Sequence, residues 1–209
     1  TLIKCPNSFS GSYTVPASVK TIGDYSFCHL GKITDIILPE GVTTIKECAF
    51  SNCRNLTSIS IPSTIISIGS KVFVSNKALK SLYVHSFTPI DLNSVSDVFS
   101  MVDKTSCTLF VPFGSKVNYQ TSGQCKDFQN ITEMAGFQLS GSVISLDASI
   151  GSCDSVTISS NVSWSVSAES PWLTFKRISG LSNDTLIVTA AENSTGKPRT
   201  AIVTISSDG

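Results

Sequence analysis

Histidine is the side chain most often used as a general base or metal ligand near neutral pH, and the chain has two, His29 and His85. A nucleophilic site would need one of them beside a serine or cysteine nucleophile. Asn52 follows His29 by 23 residues, while Pro39 and Pro62 precede His85 in steps of 23. Both histidines therefore occupy positions of a regular pattern, which predicts structural or exposed side chains and no catalytic residue.

Cysteine could supply a nucleophile, a metal ligand or a disulfide. The seven cysteines are Cys5, Cys28, Cys48, Cys53, Cys107, Cys125 and Cys153. None are spaced C-x-x-C, which argues against a zinc or thioredoxin-type site. We expect most of them to be buried free thiols, since a free cysteine packs as a small apolar residue. One disulfide among the first six is the alternative.

Charge and composition exclude several functions. The chain of 209 residues has 15 acidic and 15 basic residues, and no basic excess for nucleic acid. We find no glycine-rich phosphate loop and no pair of acids placed for glycoside cleavage. The sequence thus predicts a non-enzyme that binds no metal and no cofactor. With 37 Ser and 20 Thr, its surface resembles that of extracellular β-rich proteins, and no apolar run is long enough to span a membrane.

The elements that position these residues repeat every 23 residues. Seven apolar or proline columns recur in three copies without a gap. Examples are Pro16–Pro39–Pro62, Ile22–Ile45–Ile68, Phe27–Phe50–Phe73 and Ile36–Ile59–Leu82. Such a copy cannot bury its apolar residues alone, so the copies must stack as the coils of a solenoid.

Each coil is predicted to contain two short strands and a return. Leu56 to Pro62 alternates with period two, which places Ile59 and Ile61 inward and Ser58 and Ser60 outward. A second strand is expected around 42–45 on the opposite wall. Phe50 lies in the return, which is predicted to be a short helical or 3₁₀ turn.

These motifs resemble the BspA-like leucine-rich repeat family. The pattern I-P, V-x-x-I-G, A-F and L-x-x-I-x-I is matched over 61–82, and the resemblance covers about residues 1–135. Residues 108–134 resemble the closing repeat: a strand, a short helix and a terminal strand. In the irregular coil between them, Val98-Phe99 follows Val72-Phe73 by 26 residues, so three residues are inserted.

Beyond Gly136 the repeat ends and short alternating runs predict an immunoglobulin-like β-sandwich. The runs are V-I-S-L, S-V-T-I-S, V-S-W-S-V, W-L-T-F, T-L-I-V-T-A and A-I-V-T-I. Residues 137–209 resemble a BACON domain, a module of gut Bacteroidetes proteins whose name records a carbohydrate-binding role. The chain ends at a turn-like Ser207-Asp208-Gly209, where such a domain would supply one more strand. We therefore expect the sequence to continue, or its end to be disordered.

The best candidate for binding is the outward side of the stacked strands, which we call the strand face. Its two predicted rows are Ser12, Asp35, Ser58, Ser81 and Thr108, and Thr14, Ile37, Ser60, Tyr83 and Phe110. Three residues of the second row, Ile37, Tyr83 and Phe110, are apolar or aromatic where solvent is expected, as at contact sites. In the alternative, the loop of 87–104 folds back and covers them.

The two tryptophans are candidates for sugar binding, because an indole can stack on a sugar ring. We expect Trp164 to belong to the core of the sandwich. Trp172 is kept as a weak candidate for a glycan platform. Asp154-Ser155-Val156 and Asp184-Thr185-Leu186 resemble short O-glycosylation motifs of exported Bacteroidetes proteins.

Together the resemblances imply an exported cell-surface adhesion protein of a gut bacterium, monomeric and in some cases lipid-anchored. Its partner would be a host or bacterial protein bound at the strand face. Two alternatives stay open at this point. One is glycan binding by the BACON-like part, and the other is a spacer for a domain beyond residue 209.

Overall fold

The computed structural model describes residues 1–2, 4–6 and 8–207. It divides into two compact units, Thr1–Met134 and Ala135–Gly209. Each unit has its own apolar core. The two turn-like residues at the end of the chain, Asp208 and Gly209, lie outside the described part.

The first unit is a solenoid of about five coils with a parallel sheet on each of two walls. The larger sheet has six strands in the order β1, β3, β5, β7, β8 and β9. Their bounds are Gly11–Thr14, Ile33–Ile37, Ser58–Ile61, Ser81–Val84, Thr108–Val111 and Asn130–Glu133. The opposite wall holds β2 (Thr21–Ile22), β4 (Thr44–Ile45) and β6 (Ser67–Ile68). In β5 the predicted alternation is confirmed, because Ile59 and Ile61 are buried while Ser58 and Ser60 are half-buried.

The returns between the walls are hydrogen-bonded turns in which helical bonding is interrupted. Single i to i+3 bonds, such as Ala49 N–H to the Lys46 carbonyl, alternate with residues in the left-handed region. Two columns of non-glycine residues have this positive φ. They are Tyr25, Cys48, Lys71 and Asp97, and His29, Asn52, Ser75 and Met101. A left-handed residue cannot continue a right-handed helix, so each return stays a series of tight turns.

The returns also bond one coil to the next. The amide of Phe27 donates to the carbonyl of Ala49 at 2.8 Å, and the amide of Phe50 donates to Val72 at 3.1 Å. The phenylalanines stack inside these turns, with centroids 5.2 Å apart for Phe27–Phe50 and 5.7 Å for Phe50–Phe73. Phe99 continues the stack at 5.6 Å from Phe73, so the three-residue insertion leaves the spine unbroken.

The last coil is closed by α1 (Lys116–Thr121), a 3₁₀ turn (Cys125–Asp127) and β9. These elements lie in residues 108–134, the stretch for which the sequence predicts a closing segment. Glu133 in β9 accepts backbone bonds from Gly114 at 3.0 Å and Lys116 at 3.2 Å, which satisfies amides at the start of α1. Phe128 meets Phe99 edge to face at 5.2 Å and covers the end of the spine.

The second unit consists of two antiparallel sheets that face each other. One holds β10, β11, β15 and β13, and the other β14, β12 and β16. Their bounds are Phe137–Leu139, Cys153–Ser160, Trp164–Ala168, Leu173–Phe175, Ser179–Gly180, Asp184–Ala190 and Val203–Ser207 for β10 to β16 in chain order. Ile158 and Leu186 of the first sheet share one core with Trp164 and Ile205 of the second.

One predicted strand is wrong. The run V-I-S-L at 143–146 forms no strand, and Val143 is 84% exposed. Its neighbours Ile144 and Leu146 pack partly against the core. β10 already pairs with the edge of β11, and the chain leaves that edge after Ser140, whose amide donates to Thr157. The apolar run therefore finds packing but no strand to pair with.

All seven cysteines are free thiols, six of them buried and Cys153 exposed. This agrees with the expectation from the sequence. Burial is the main reason why the pKa of the Cys53 thiol is raised to about 12. Within the described residues, the structure has no helix with the length and apolar character that a membrane crossing requires.

Candidate interaction face

The strand face is built by the register of the six-stranded sheet. Asp35 pairs with Ser58 and Ser58 with Ser81, while Ser60 pairs with Tyr83 and Tyr83 with Phe110. The structure therefore brings all seven candidate residues together in two straight rows. The rows continue into β9 with Asn130 and Thr132, beside Thr108 and Phe110, which sequence reasoning did not include.

An aromatic pair dominates one end of the second row. The rings of Tyr83 and Phe110 stack with centroids 4.5 Å apart and planes 9° apart. Ile37, two strands from Tyr83 in the same row, is 47% exposed. Apolar side chains thus interrupt a surface that is otherwise polar.

His85 belongs to this face, although the sequence pattern assigned it to the proline column. The hydroxyl of Ser60 lies 3.0 Å from Nε2 of His85. The alternation of β7 provides the signal that was missed, since residue 85 follows Tyr83 by two and lies on the same side. His29 lies elsewhere, on a return, where its Nδ1 is 2.6 Å from the amide nitrogen of Asn52.

The irregular loop after β7 contributes to the core. Leu92, Val98 and Phe99 are buried inside the solenoid, and Ile90 packs partly against them. The hydroxyl of Tyr119 donates to the carbonyl of Ser86 at 2.7 Å and ties the start of the loop to α1. These apolar side chains of the loop pack in the core of the solenoid. This weakens the alternative that the loop covers the strand face.

Among the seven candidate residues, only Asp35 carries a charge at neutral pH. Within the described residues no cation lies within salt-bridge distance of its carboxylate. Lys80, which precedes β7, donates to the hydroxyl of Ser106 at 2.9 Å. The face therefore combines one unpaired carboxylate with aromatic and hydroxyl groups.

The two tryptophans of the second unit differ in burial. Trp164 is 2% exposed and its Nε1 donates to the carbonyl of Ser182 at 2.8 Å, so its prediction as a core residue is confirmed. Trp172 is half-buried, with the guanidinium carbon of Arg199 4.1 Å from its ring centroid. It borders an open cleft of about 750 Å³ whose apolar lining includes Val188 and Ile205.

The described residues contain no group of three or more His, Cys, Asp or Glu that could hold a metal ion. The side chains of the strand face offer an aromatic stack, hydroxyl groups and the carboxylate of Asp35.

Two family models match the chain. The model for the BspA type leucine rich repeat region matches residues 6–122 in six copies, more than half of the chain. The model named BACON matches residues 162–209. Both families are generally non-enzymatic binding domains and are typical of extracellular or surface proteins. No curated protein matches the chain.

Among solved structures, the chain is similar to a leucine-rich repeat protein from Eubacterium ventriosum, with 24% identity and a TM-score of 0.44. The match covers 62% of this chain and 34% of that protein. It is also similar to the pneumococcal vaccine antigen PcpA, with 16% identity and a TM-score of 0.35, covering 59% of this chain and 41% of that one. The chain thus spans less than half the length of either.

Proposed function

The chain belongs to the BspA-type leucine-rich repeat family, and we propose that it is an exported surface adhesion protein of a gut bacterium that binds a protein partner through the strand face. The proposed activity is protein binding, without catalysis. One observation carries the proposal: the stacked pair of Tyr83 and Phe110, with Ile37 exposed in the same row of a regular sheet. Aromatic side chains are enriched among the residues that dominate protein interfaces.

Surface plasmon resonance tests this proposal with the full chain immobilised and purified extracellular-matrix and bacterial surface proteins in solution. The decisive variants are Tyr83→Ser combined with Phe110→Ser, and Ile37→Ser. We expect each to weaken binding of a captured protein at least tenfold, because a residue at the centre of an interface contributes more than about 1.4 kcal/mol.

Ile66→Ser is the matched control, since Ile66 is 78% exposed and lies beside β6 on the opposite wall. It should leave binding unchanged. Wild-type affinity in the strand-face variants would contradict the proposal, provided that circular dichroism shows them folded.

A second candidate function is glycan binding by the BACON-like unit. The observation that favours it is the half-buried ring of Trp172 at the rim of the cleft, with Arg199 over the ring. An aromatic ring beside a charged donor can stack on a sugar and bond its hydroxyls.

A glycan array probed with the full chain and with Trp172→Ala tests this second function. We expect binding to fall with Trp172→Ala and to survive Leu181→Ala, which removes an apolar side chain that is 81% exposed. An array that stays blank for the wild-type chain would eliminate it.

A further inference from the structure

A notch opens in the second row of the strand face where a small residue lies between two large ones. Ser60 pairs with Ile37 on one side and with Tyr83 on the other. Neighbouring strands are about 4.8 Å apart, so the backbones that bear Ile37 and Tyr83 are about 10 Å apart. Serine fills little of that space, which leaves an opening one side chain wide above Ser60.

The ring of Tyr83 forms one wall of the notch. Its centroid lies 4.5 Å from that of Phe110 and the two planes are nearly parallel, so Phe110 covers one face of the ring. This separation is close to the strand spacing, which means that the rings stack along the axis of the solenoid. The other face of Tyr83 is therefore turned toward Ser60, and Ile37 forms the opposite wall.

Polar groups border the floor and both ends of the notch. His85 closes one end through its 3.0 Å bond to the Ser60 hydroxyl. Toward the other end lies Ser58, two residues before Ser60 on β5. Beside it is Asp35 of the adjacent strand β3, which pairs with Ser58. The carboxylate of Asp35 has no cation within 4.0 Å among the described residues.

We infer that the notch receives an arginine side chain from the protein partner. This inference rests on the proposed function and names the group that the partner presents. The planar guanidinium stacks on the exposed face of an aromatic ring. It also forms paired hydrogen bonds with a carboxylate, which Asp35 offers, and its remaining N–H groups can donate to the hydroxyls of Ser58 and Ser60.

Charge and shape favour arginine over other occupants. The aliphatic stem of arginine packs on an apolar wall such as Ile37 while its head remains polar. A lysine ammonium is compact and strongly hydrated and has no plane to stack on Tyr83. A purely apolar side chain would leave the carboxylate of Asp35 next to the interface without a partner, which is costly.

Nuclear magnetic resonance titration of the full chain tests the inference with N-acetyl-arginine amide as the probe. N-acetyl-citrulline amide, which is neutral and nearly isosteric, N-acetyl-lysine amide and N-acetyl-phenylalanine amide serve as comparisons. We expect saturable shifts at the amides of Ser58, Ser60 and Tyr83, with a dissociation constant on the order of millimolar. Citrulline and lysine should bind at least tenfold more weakly.

Asp35→Asn and Tyr83→Leu should each lower the affinity for N-acetyl-arginine amide at least tenfold. Asp147→Asn in the second unit should leave that affinity unchanged. Asp147 is exposed and serves as the matched acidic control. Equal binding of citrulline or phenylalanine, or unchanged binding by Asp35→Asn, would overturn the inference.

Competition separates this inference from the proposed function. If a captured protein loses affinity with Tyr83→Ser and Phe110→Ser but is not displaced by excess arginine amide, the strand face still binds protein and the arginine inference fails. If the variants keep full affinity, both fail. Displacement by arginine amide and not by citrulline amide supports both.

Discussion

The side-chain amide of Asn76, fully buried, donates a 2.8 Å hydrogen bond to the carbonyl oxygen of Phe50 in the neighbouring coil. Its oxygen accepts a 2.8 Å bond from the amide of Cys53. At the end of a return the backbone hydrogen bonds between neighbouring coils stop. There the side chain of Asn76 takes the place of two backbone groups and bonds both the Phe50 carbonyl and the Cys53 amide. Leu30 and Cys53 occupy the same column in the preceding coils.

Asn76→Ala is expected to destabilise the solenoid by about 2–4 kcal/mol, because it leaves a buried carbonyl and a buried amide without partners. The free energy of unfolding from urea titration measures this. Asn55→Ala, at an exposed position of a neighbouring return, is the control. A loss below about 0.5 kcal/mol for Asn76→Ala would show that water replaces both bonds.

Phe50→Ala should cost about 3–5 kcal/mol, since it opens a cavity in the middle of the phenylalanine spine. Phe50 is fully buried and contacts Phe27 on one side and Phe73 on the other. Chemical denaturation followed by circular dichroism gives the value, with Phe87→Ala (48% exposed) as the control. A loss under 1 kcal/mol would contradict the stacked spine.

Gly180→Ala should destabilise the second unit by about 1–3 kcal/mol. A Cβ atom at Gly180 would lie 2.4 Å from Cζ2 of Trp164, whose ring is packed in the core and has little room to move. The fluorescence of the two tryptophans during chemical denaturation measures this loss of stability. Gly141→Ala is the control, because a Cβ at this position would meet nothing closer than 4.0 Å. It should leave the midpoint of the denaturation curve unchanged.

Thiol labelling should find one fast cysteine in the folded chain. Cys153 is exposed, and the other six thiols are buried. Burial raises the pKa of Cys53 to about 12 and that of Cys125 to about 11, so little thiolate forms there at pH 8. Reaction with a chromogenic disulfide reagent at pH 8 should release about one equivalent quickly and the rest only on unfolding. Cys153→Ser should abolish the fast phase, and a second fast equivalent would contradict the burial of the six.

Columns that recur at a fixed interval made the solenoid predictable. A residue such as Ile59 repeats in type because every coil presents it to the same neighbours, so position in the period implies position in the core. The rows of the strand face follow from the same register. The expected helical returns were less accurate, because residues such as Tyr25 and Cys48 adopt the left-handed region without being Gly or Asn.

Individual side-chain contacts that do not recur along the chain were not predicted from the sequence. The bond between Ser60 and His85 depends on a histidine that replaces a proline in a single copy. The stacking of Arg199 on Trp172 joins residues 27 positions apart that no periodicity relates. The run V-I-S-L failed for a similar reason, because alternation predicts an apolar face but does not provide a strand to pair with.

The even spacing of the parallel strands limits what a long partner can do on this surface. Six strands at about 4.8 Å extend roughly 24 Å along the axis. In an extended polypeptide laid along that axis, the side chains on one face recur every two residues, roughly 6.6–6.8 Å. A helix advances about 5.4 Å per turn. The extended chain is out of step with the coils by about 2 Å at its first repeat, and the helix, which drifts about 0.6 Å per coil, is out of step by half a coil after about four coils. A partner lying lengthwise would therefore be anchored at one position, and the proposed function puts that position at Tyr83 and Phe110.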